Sequence, residues 1–351
     1  VFSSIGFVKQ ELEIGNSSTL SVVLQVDNKQ LDEVVVVGYG TMRRRDITGS
    51  IASVSGKQMA EYVVPNPILA LQGRAAGVVV TTNTGAPNGN FTVRIRGNNS
   101  IIGGNDPLYI IDGMPSNASS INSLDIESVE VLKDASATAI YGSRAANGVI
   151  LITTKRGKSG KASVAYDINY GVQSQIKKLD MMNATEWAQF YNEQQINDTG
   201  KPYFTQDQIN SFGKGTDWQS AIFKSAPIQN HNLTITGGNE KTKILVSGSF
   251  MGRDGIIPNS NYDKYNLRSN IDYAFNDRFK LQLNMVYTRT ARRDQNSNGG
   301  NRGGSLIGGA ISAPPTLTAY NDDGSYQNLQ LAYPFMSNAL YNPINLINET
   351  S

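Results

Sequence analysis

Residues 31 to 45 read LDEVVVVGYGTMRRR, four valines set between an acidic pair and Gly38-Tyr39-Gly40, with three arginines just behind. A hydrophobic strand that runs into glycines is how a dinucleotide-binding fold brings pyrophosphate to a helix N-terminus, and that chemistry needs a third glycine and an amphipathic helix. Arg43 stands where the third glycine belongs, and RRRDITGSIASVSGKQM carries no 3.6-residue apolar repeat. A nucleotide site is therefore excluded here. RGKSGK at 156–161 fails as a P-loop because Ile152 occupies the position of its first glycine. The valine run has two other readings. One is a segment open to strand addition, in which its main chain pairs with the exposed sheet edge of another protein. Valine, stiff and extended by branching at Cβ, suits that role, and Asp32 and Glu33 would restrain a loose VVVV from aggregating. The other is a paired strand of a preceding β domain.

FTVRIRG at 91–97 holds the second set of reactive groups. Strand alternation puts Phe91, Val93 and Ile95 on one face and Arg94 and Arg96 on the other. Two cations fixed side by side are either a solvated strand face or a pair meant for carboxylates on a surrounding structure. Other chemistries are closed by composition. With no cysteine and His231 as the one histidine, thiolate chemistry, disulfides, His-based triads and multi-His metal sites are out. A net charge of +2 with 17% charged residues does not suit a nucleic-acid binder. Asn321-Asp322-Asp323-Gly324 lacks the glutamate that an EF-hand calcium loop requires, and reads as a hairpin turn.

The elements that position these groups fall into two regions. Residues 48–157 read as a compact α+β unit: a short helix opened by Asn66-Pro67 and closed by Gly73, strands at 77–82, 91–97, 107–113, 128–132 and 148–154, and an Ala-rich helix broken by glycines between the last two. From Lys161 the pattern changes. Ala162, Val164, Tyr166, Ile168, Tyr170 and Val172 alternate with polar residues, and four more such segments follow near 233, 244, 265 and 279. Strict alternation over strands of about a dozen residues, with aromatics at several ends, fits a transmembrane β-barrel, apolar to lipid and polar to lumen. The connections alternate long and short, as barrel loops and turns do. The first long one carries its own helix, NATEWAQFYNEQQ, capped by Asn183. No run approaches the roughly 18 apolar residues of a membrane-spanning helix. A structural or adhesive β-sandwich is the competing fold. The chain opens at Val1 in mid-pattern and stops at Ser351 without a closing signal, which reads as a fragment of something longer.

DPLYIIDGMP, LKDASATAIYGSRAANGVILITTKRG and LDEVVVVGYG together resemble the SusC/RagA family of TonB-dependent outer-membrane transporters, and the likeness spans the chain. The resemblance implies that 1–30 is the end of a carboxypeptidase-regulatory-like β domain, 31–47 the TonB box and linker, 48–157 an α+β plug, and 158–351 the first antiparallel strands of a barrel. The family's barrel has 22 strands, too many for 158–351. It further implies TonB contact at Asp32, Glu33, Val34, Val35, Val36, Val37 and Gly38, and a plug–barrel latch at Arg94 and Arg96, whose glutamate partners would lie on later strands. The implied protein is no enzyme and needs no cofactor or metal. It sits in outer-membrane lipid, works with TonB and a SusD-like lipoprotein lid, and imports an oligosaccharide or, as the alternative, a peptide.

Overall fold

The computed structural model describes residues 22, 34–37, 40–43, 51–61, 64–89, 91–98, 100, 104–276, 278–295, 297, 305–336 and 340–349. The proposed domain at 1–30 therefore lies almost entirely outside the described residues. At the N-terminal side β1 (Val34–Val37) pairs antiparallel with β2 (Gly40–Arg43), Val34 opposite Arg43 and Val37 opposite Gly40.

The α+β unit is built on a five-stranded sheet. Its strands are β3 (Ile51–Ser55), β6 (Leu108–Ile111), β7 (Met114–Pro115), β8 (Ile126–Leu132) and β9 (Val149–Thr154), in the order β3-β8-β9-β6-β7. Only β6 and β9 run parallel. The central strands β8 and β9, IESVEVL and VILITT, are buried on both faces, which is why they read as apolar runs rather than as alternation. β4 (Val78–Thr82) and β5 (Phe91–Ile95) form a separate hairpin ribbon whose Val80, Val93 and Ile95 enter the main core beside Ile68, Leu71, Val129 and Ile150. Leu132, Val149 and Leu151 fill a second core on the other side.

Local chemistry sets the helices. Asn66 caps the Pro67–Leu71 turn by accepting the Ile68 N–H at 3.0 Å, as the sequence predicts, although the turn winds as a 3₁₀-helix. The Ala-rich stretch forms α2 (Ala135–Thr138) and a 3₁₀ segment to Ala145, kinked at Gly142 with φ 69°. Among the elements with no counterpart in the sequence reading are β3 and α1 (Gly56–Ala60). Ser55 and Gln58 make a reciprocal capping box that starts α1, and a Cβ at Gly56 would lie 2.1 Å from the Ile126 carbonyl oxygen, so only glycine lets this helix sit on β8.

The five alternating segments become one antiparallel sheet in sequence order: β10 (Gly160–Gln173), β11 (Ala226–Gly238), β12 (Thr242–Asp254), β13 (Asn261–Ala274) and β14 (Lys280–Arg293). At 13 or 14 residues each, these strands exceed the 9–11 that a tilted strand needs to cross a bilayer core. The sheet is open, a section of barrel wall rather than half of a sandwich. Links at one end are short, at 239–241 and 275–279. At the other end they are longer: 255–260, the 174–225 connection, and the segment after Arg293. That long-link end carries helices α3 (Ala184–Thr199), α4 (Gln206–Phe212), α5 (Trp218–Ile222), α6 (Leu306–Ser312), α7 (Leu329–Ala332) and α8 (Pro343–Glu349). Asn183 caps α3 in a capping box with Glu186. The helices bury two cores of their own, one around Trp218, Leu306 and Leu329 and an aromatic one around Tyr191 and Phe204. Asn321–Ser325 is a hairpin turn with Gly324 at φ 81°, closed by a Tyr320–Tyr326 bridge. No helix among the described residues is long and apolar enough to cross a membrane.

Candidate functional site

The two faces of the sheet differ in chemistry. On the outer face Val164, Tyr166, Ile168, Tyr170, Leu267, Leu283, Met285 and Tyr287 are all exposed. Cross-strand contacts tie this face into aromatic rows. Near the long-link end the Tyr166 hydroxyl meets His231 Nδ1 at 2.7 Å, and His231 stacks on Phe250, which packs on Tyr265. Near the short-turn end Tyr273 packs edge-on against Phe275. The inner face is largely polar, with Leu245 and Met251 of β12 as buried apolar exceptions. On β13 it presents Tyr262, Lys264, Asn266, Arg268 and Asn270, all buried, because the α+β unit lies against it.

The seam between unit and wall is made of directional polar bonds. Lys264 Nζ donates to the carbonyls of Ile121 at 2.8 Å and Pro65 at 3.3 Å. Arg268 Nη2 donates to the Lys155 carbonyl at 2.7 Å and to the Thr154 hydroxyl, which in turn donates to Asp112. Asn266 Nδ2 and the Thr288 hydroxyl converge on the Ser120 carbonyl at 2.6 and 2.8 Å. Asn122 Nδ2 donates to Asn230 Oδ1 at 3.1 Å, and Arg156 pairs with Asp272 at 2.8 Å. Asp125, 3% exposed, faces this cationic wall. Burial pushes its carboxyl up from the ordinary range, while Arg268, Ser247, Lys155 and Lys264 pull it back. Gly157 closes the join: a Cβ there would lie 2.6 Å from the Ile244 backbone nitrogen. Lys264 and Arg268 on the wall meet carbonyls and a carboxylate on the unit, while Arg156 on the unit meets Asp272 on the wall. Such a seam can part with water taking over each bond, whereas parting an apolar core exposes surface that water does not satisfy.

Arg94 and Arg96 lie elsewhere. β5 ends at Ile95, and Arg96 adopts a left-handed φ of 57°, so the two side chains do not continue one strand face as the alternation suggests. Arg94 pairs with Asp106 at 2.6 Å, and Arg96 with Asp134, both within the α+β unit. Asp106 also raises the Tyr109 hydroxyl, after burial as the main cause. Val34, Val35, Val36 and Val37 form β1, and the ribbon β1–β2 joins no further strand among the described residues. Asp32, Glu33 and Gly38 lie outside the described residues. The seam residues Lys264 and Asp125 escaped the sequence reading. Their signal was present, since Lys264 falls in phase with Asn266 and Arg268 on the polar face of β13.

Residues 43–149 match the TonB-dependent receptor plug domain. The chain is 40% identical over 329 residues to TonB-dependent receptor P3 of Formosa agariphila, a match covering 93% of this chain and 32% of that protein. To TonB-dependent receptor SusC of Bacteroides thetaiotaomicron it is 36% identical over 339 residues, with the same coverage of 93% and 32%. The chain belongs with the SusC/RagA-type TonB-dependent receptors. The solved RagAB peptide importer in its open-open state superposes with a TM-score of 0.75 at 29% identity, over 89% of this chain and 38% of that one. The chain thus spans about a third of the length of the curated relatives it matches. Its α+β unit is a plug, and β10–β14 are strands of a TonB-dependent barrel that do not close on themselves.

Proposed function

We propose that this chain carries the plug and the first wall strands of an outer-membrane importer that draws energy through TonB. The observation that supports this most is the sheet's division of faces: apolar and aromatic outward, amide and cation inward onto the plug. That division suits lipid on one side and a plugged lumen on the other. The protein acts as a transporter and not as an enzyme. TonB binds by strand addition along Val34–Val37, flanked by Asp32, Glu33 and Gly38. An isolated two-stranded hairpin is marginally stable, so the β1–β2 ribbon can open, or accept a third strand on its edge. A SusD-like lipoprotein rests on the long-link end, where α3 to α8 make a folded platform with Leu179, Met181 and Met182 exposed beside it.

The cargo is an oligosaccharide. A peptide is the second reading, supported by the likeness to RagAB, a peptide importer. The test uses the whole transporter expressed in cells with its lipoprotein partner. Replacing Val35 by Pro removes a backbone N–H and fixes φ, which blocks strand addition. Energised uptake of labelled cargo should stop while surface binding persists. Uptake at the wild-type rate would remove this segment from the TonB contact.

A further inference from the structure

At the long-link end the inner face of the wall carries one cross-strand row, Arg253 on β12, Tyr262 on β13 and Arg292 on β14, in direct register. Plug residues 65, 66, 88, 89, 91, 117 and 119 stand opposite, and between plug and wall lies a cleft of about 520 Å³. That size is ordinary for a small-ligand site.

The polar groups of the cleft are biased toward donors. Asn66 Oδ1 is taken by the Ile68 N–H at 3.0 Å, and Asn117 Oδ1 by the Ser119 N–H and hydroxyl, each at 2.9 Å. Both amides are thereby fixed with their acceptor ends committed inside the plug. Their Nδ2 donors have no protein partner among the described residues. Arg292 meets Asp294 only at 3.4 Å between exposed groups, a loose pair that leaves its Nη groups available. Arg253, in the same row but outside the cleft lining, donates to Gln173 Oε1 at 2.9 Å and to the Pro87 carbonyl at 3.3 Å. Arg292, the one charged side chain that lines the cleft, thus stands with the uncommitted Nδ2 donors of Asn66 and Asn117.

We infer that this cleft holds the carboxylate of an acidic sugar unit on the imported oligosaccharide, an assignment that rests on the import reading above. Guanidinium and amide donors match carboxylate geometry and bind it through charge-assisted hydrogen bonds. A peptide matches less well, because each of its residues brings a backbone N–H that needs an acceptor. A uronic acid brings a carboxylate and a ring oxygen that only accept, and hydroxyls that accept as well as donate. Phe91 and Pro65 line the same cleft and offer apolar surface to the C–H face of a sugar ring.

Titration calorimetry on the whole detergent-solubilised transporter tests the assignment, with tetragalacturonate, the neutral cellotetraose and tetraglutamate as probes. Tetragalacturonate should bind at least about tenfold more tightly than either other probe. Arg292→Gln and Asn117→Asp change exposed residues, and the aspartate preserves the turn by accepting the Ser119 N–H. Each should weaken tetragalacturonate by about tenfold and leave cellotetraose within about twofold. Equal binding of the two saccharides, no binding of tetragalacturonate, variants with wild-type affinity, or tighter binding of tetraglutamate would each overturn the assignment. Uptake in cells separates this from the import reading. If Val35→Pro stops uptake yet the transported glycan is neutral, the cleft assignment alone fails; if no saccharide uptake depends on TonB, the import reading fails first.

Discussion

Arg268 offers the most direct measure of what holds the plug. Its side chain is 2% exposed and sends Nη2 to the Lys155 carbonyl at 2.7 Å and to Thr154, with Asp125 and Asp112 as the nearby negative charges. Arg268→Met keeps most of the aliphatic volume, removes two charge-assisted bonds at about 1.5–3 kcal/mol each, and leaves Asp125 buried without its main counter-charge. Methionine packing recovers part of this, so the net loss is about 3–5 kcal/mol, the usual cost of breaking a buried pair from one side. Hydrogen exchange on the whole transporter, read by mass spectrometry over the β8 and β9 peptides, reports the opening of the plug. A loss of that size speeds exchange by about two to three and a half decades, at 1.4 kcal/mol per decade. Asp125→Asn, which mimics the neutral carboxyl that burial favours, should not speed exchange, and in its background Arg268→Met should cost about 1–3 kcal/mol less than alone, the coupling expected of contacting residues. Exchange within about threefold of wild type in Arg268→Met, or strict additivity in the cycle, would refute a plug held by wall cations.

Other consequences are open to simpler assays. Ile168→Arg places a charge on the outer face and should cost about 2–4 kcal/mol, seen as lost heat-modifiability on gels, whereas Asn169→Arg on the inner face should be mild; equal effects would contradict the division of faces. Because burial raises the Asp125 carboxyl, its contribution to plug stability is complete below the ordinary carboxylate value of 3.8 and is lost as pH rises through the raised value. Plug exchange, divided by the intrinsic amide rate at each pH, should therefore quicken from acid toward neutral pH, and Asp125→Asn should flatten that slope. The Arg94→Ala, Arg96→Ala double variant removes two exposed or half-exposed pairs made inside the plug. If these arginines also latch the complete barrel, single-channel currents in planar bilayers should rise; unchanged currents would leave them as pairs internal to the plug.

Legibility in the sequence followed physical periodicity. The wall was readable because lipid on one side and polar groups on the other force a period of two, and all five segments, with their alternating short and long links, fold as read. The plug strands at 126–132 and 149–154 were readable as apolar runs. β3 was hidden because IASVS is short and half-polar, and α1 because a five-residue helix has no room for a 3.6-residue repeat. Its capping residues, Ser55 and Gln58, were the available sign. The β5 alternation failed at Arg96, where a positive φ ends the strand, and nothing in FTVRIRG except the following Gly97 marks that break.

The seam was the least legible part, for a reason that bears on function. Each plug acceptor at the seam is a backbone carbonyl, at Pro65, Ser120, Ile121 and Lys155, or a side chain such as Asp125 that looks ordinary in its own segment. Carbonyls carry no residue identity, so no pattern in the plug sequence announces them. For these bonds identity resides on the wall, in Lys264, Asn266 and Arg268, while Asn122 and Arg156 are the plug side chains that reach the wall. A plug that must separate from its wall and return gains from this arrangement, because the long, adaptable donors stay on the rigid sheet. At Lys264, Asn266 and Arg268 the plug side of the seam presents acceptors that water can satisfy if the seam opens, and Asn122 and Arg156 add two plug donors that water can satisfy equally.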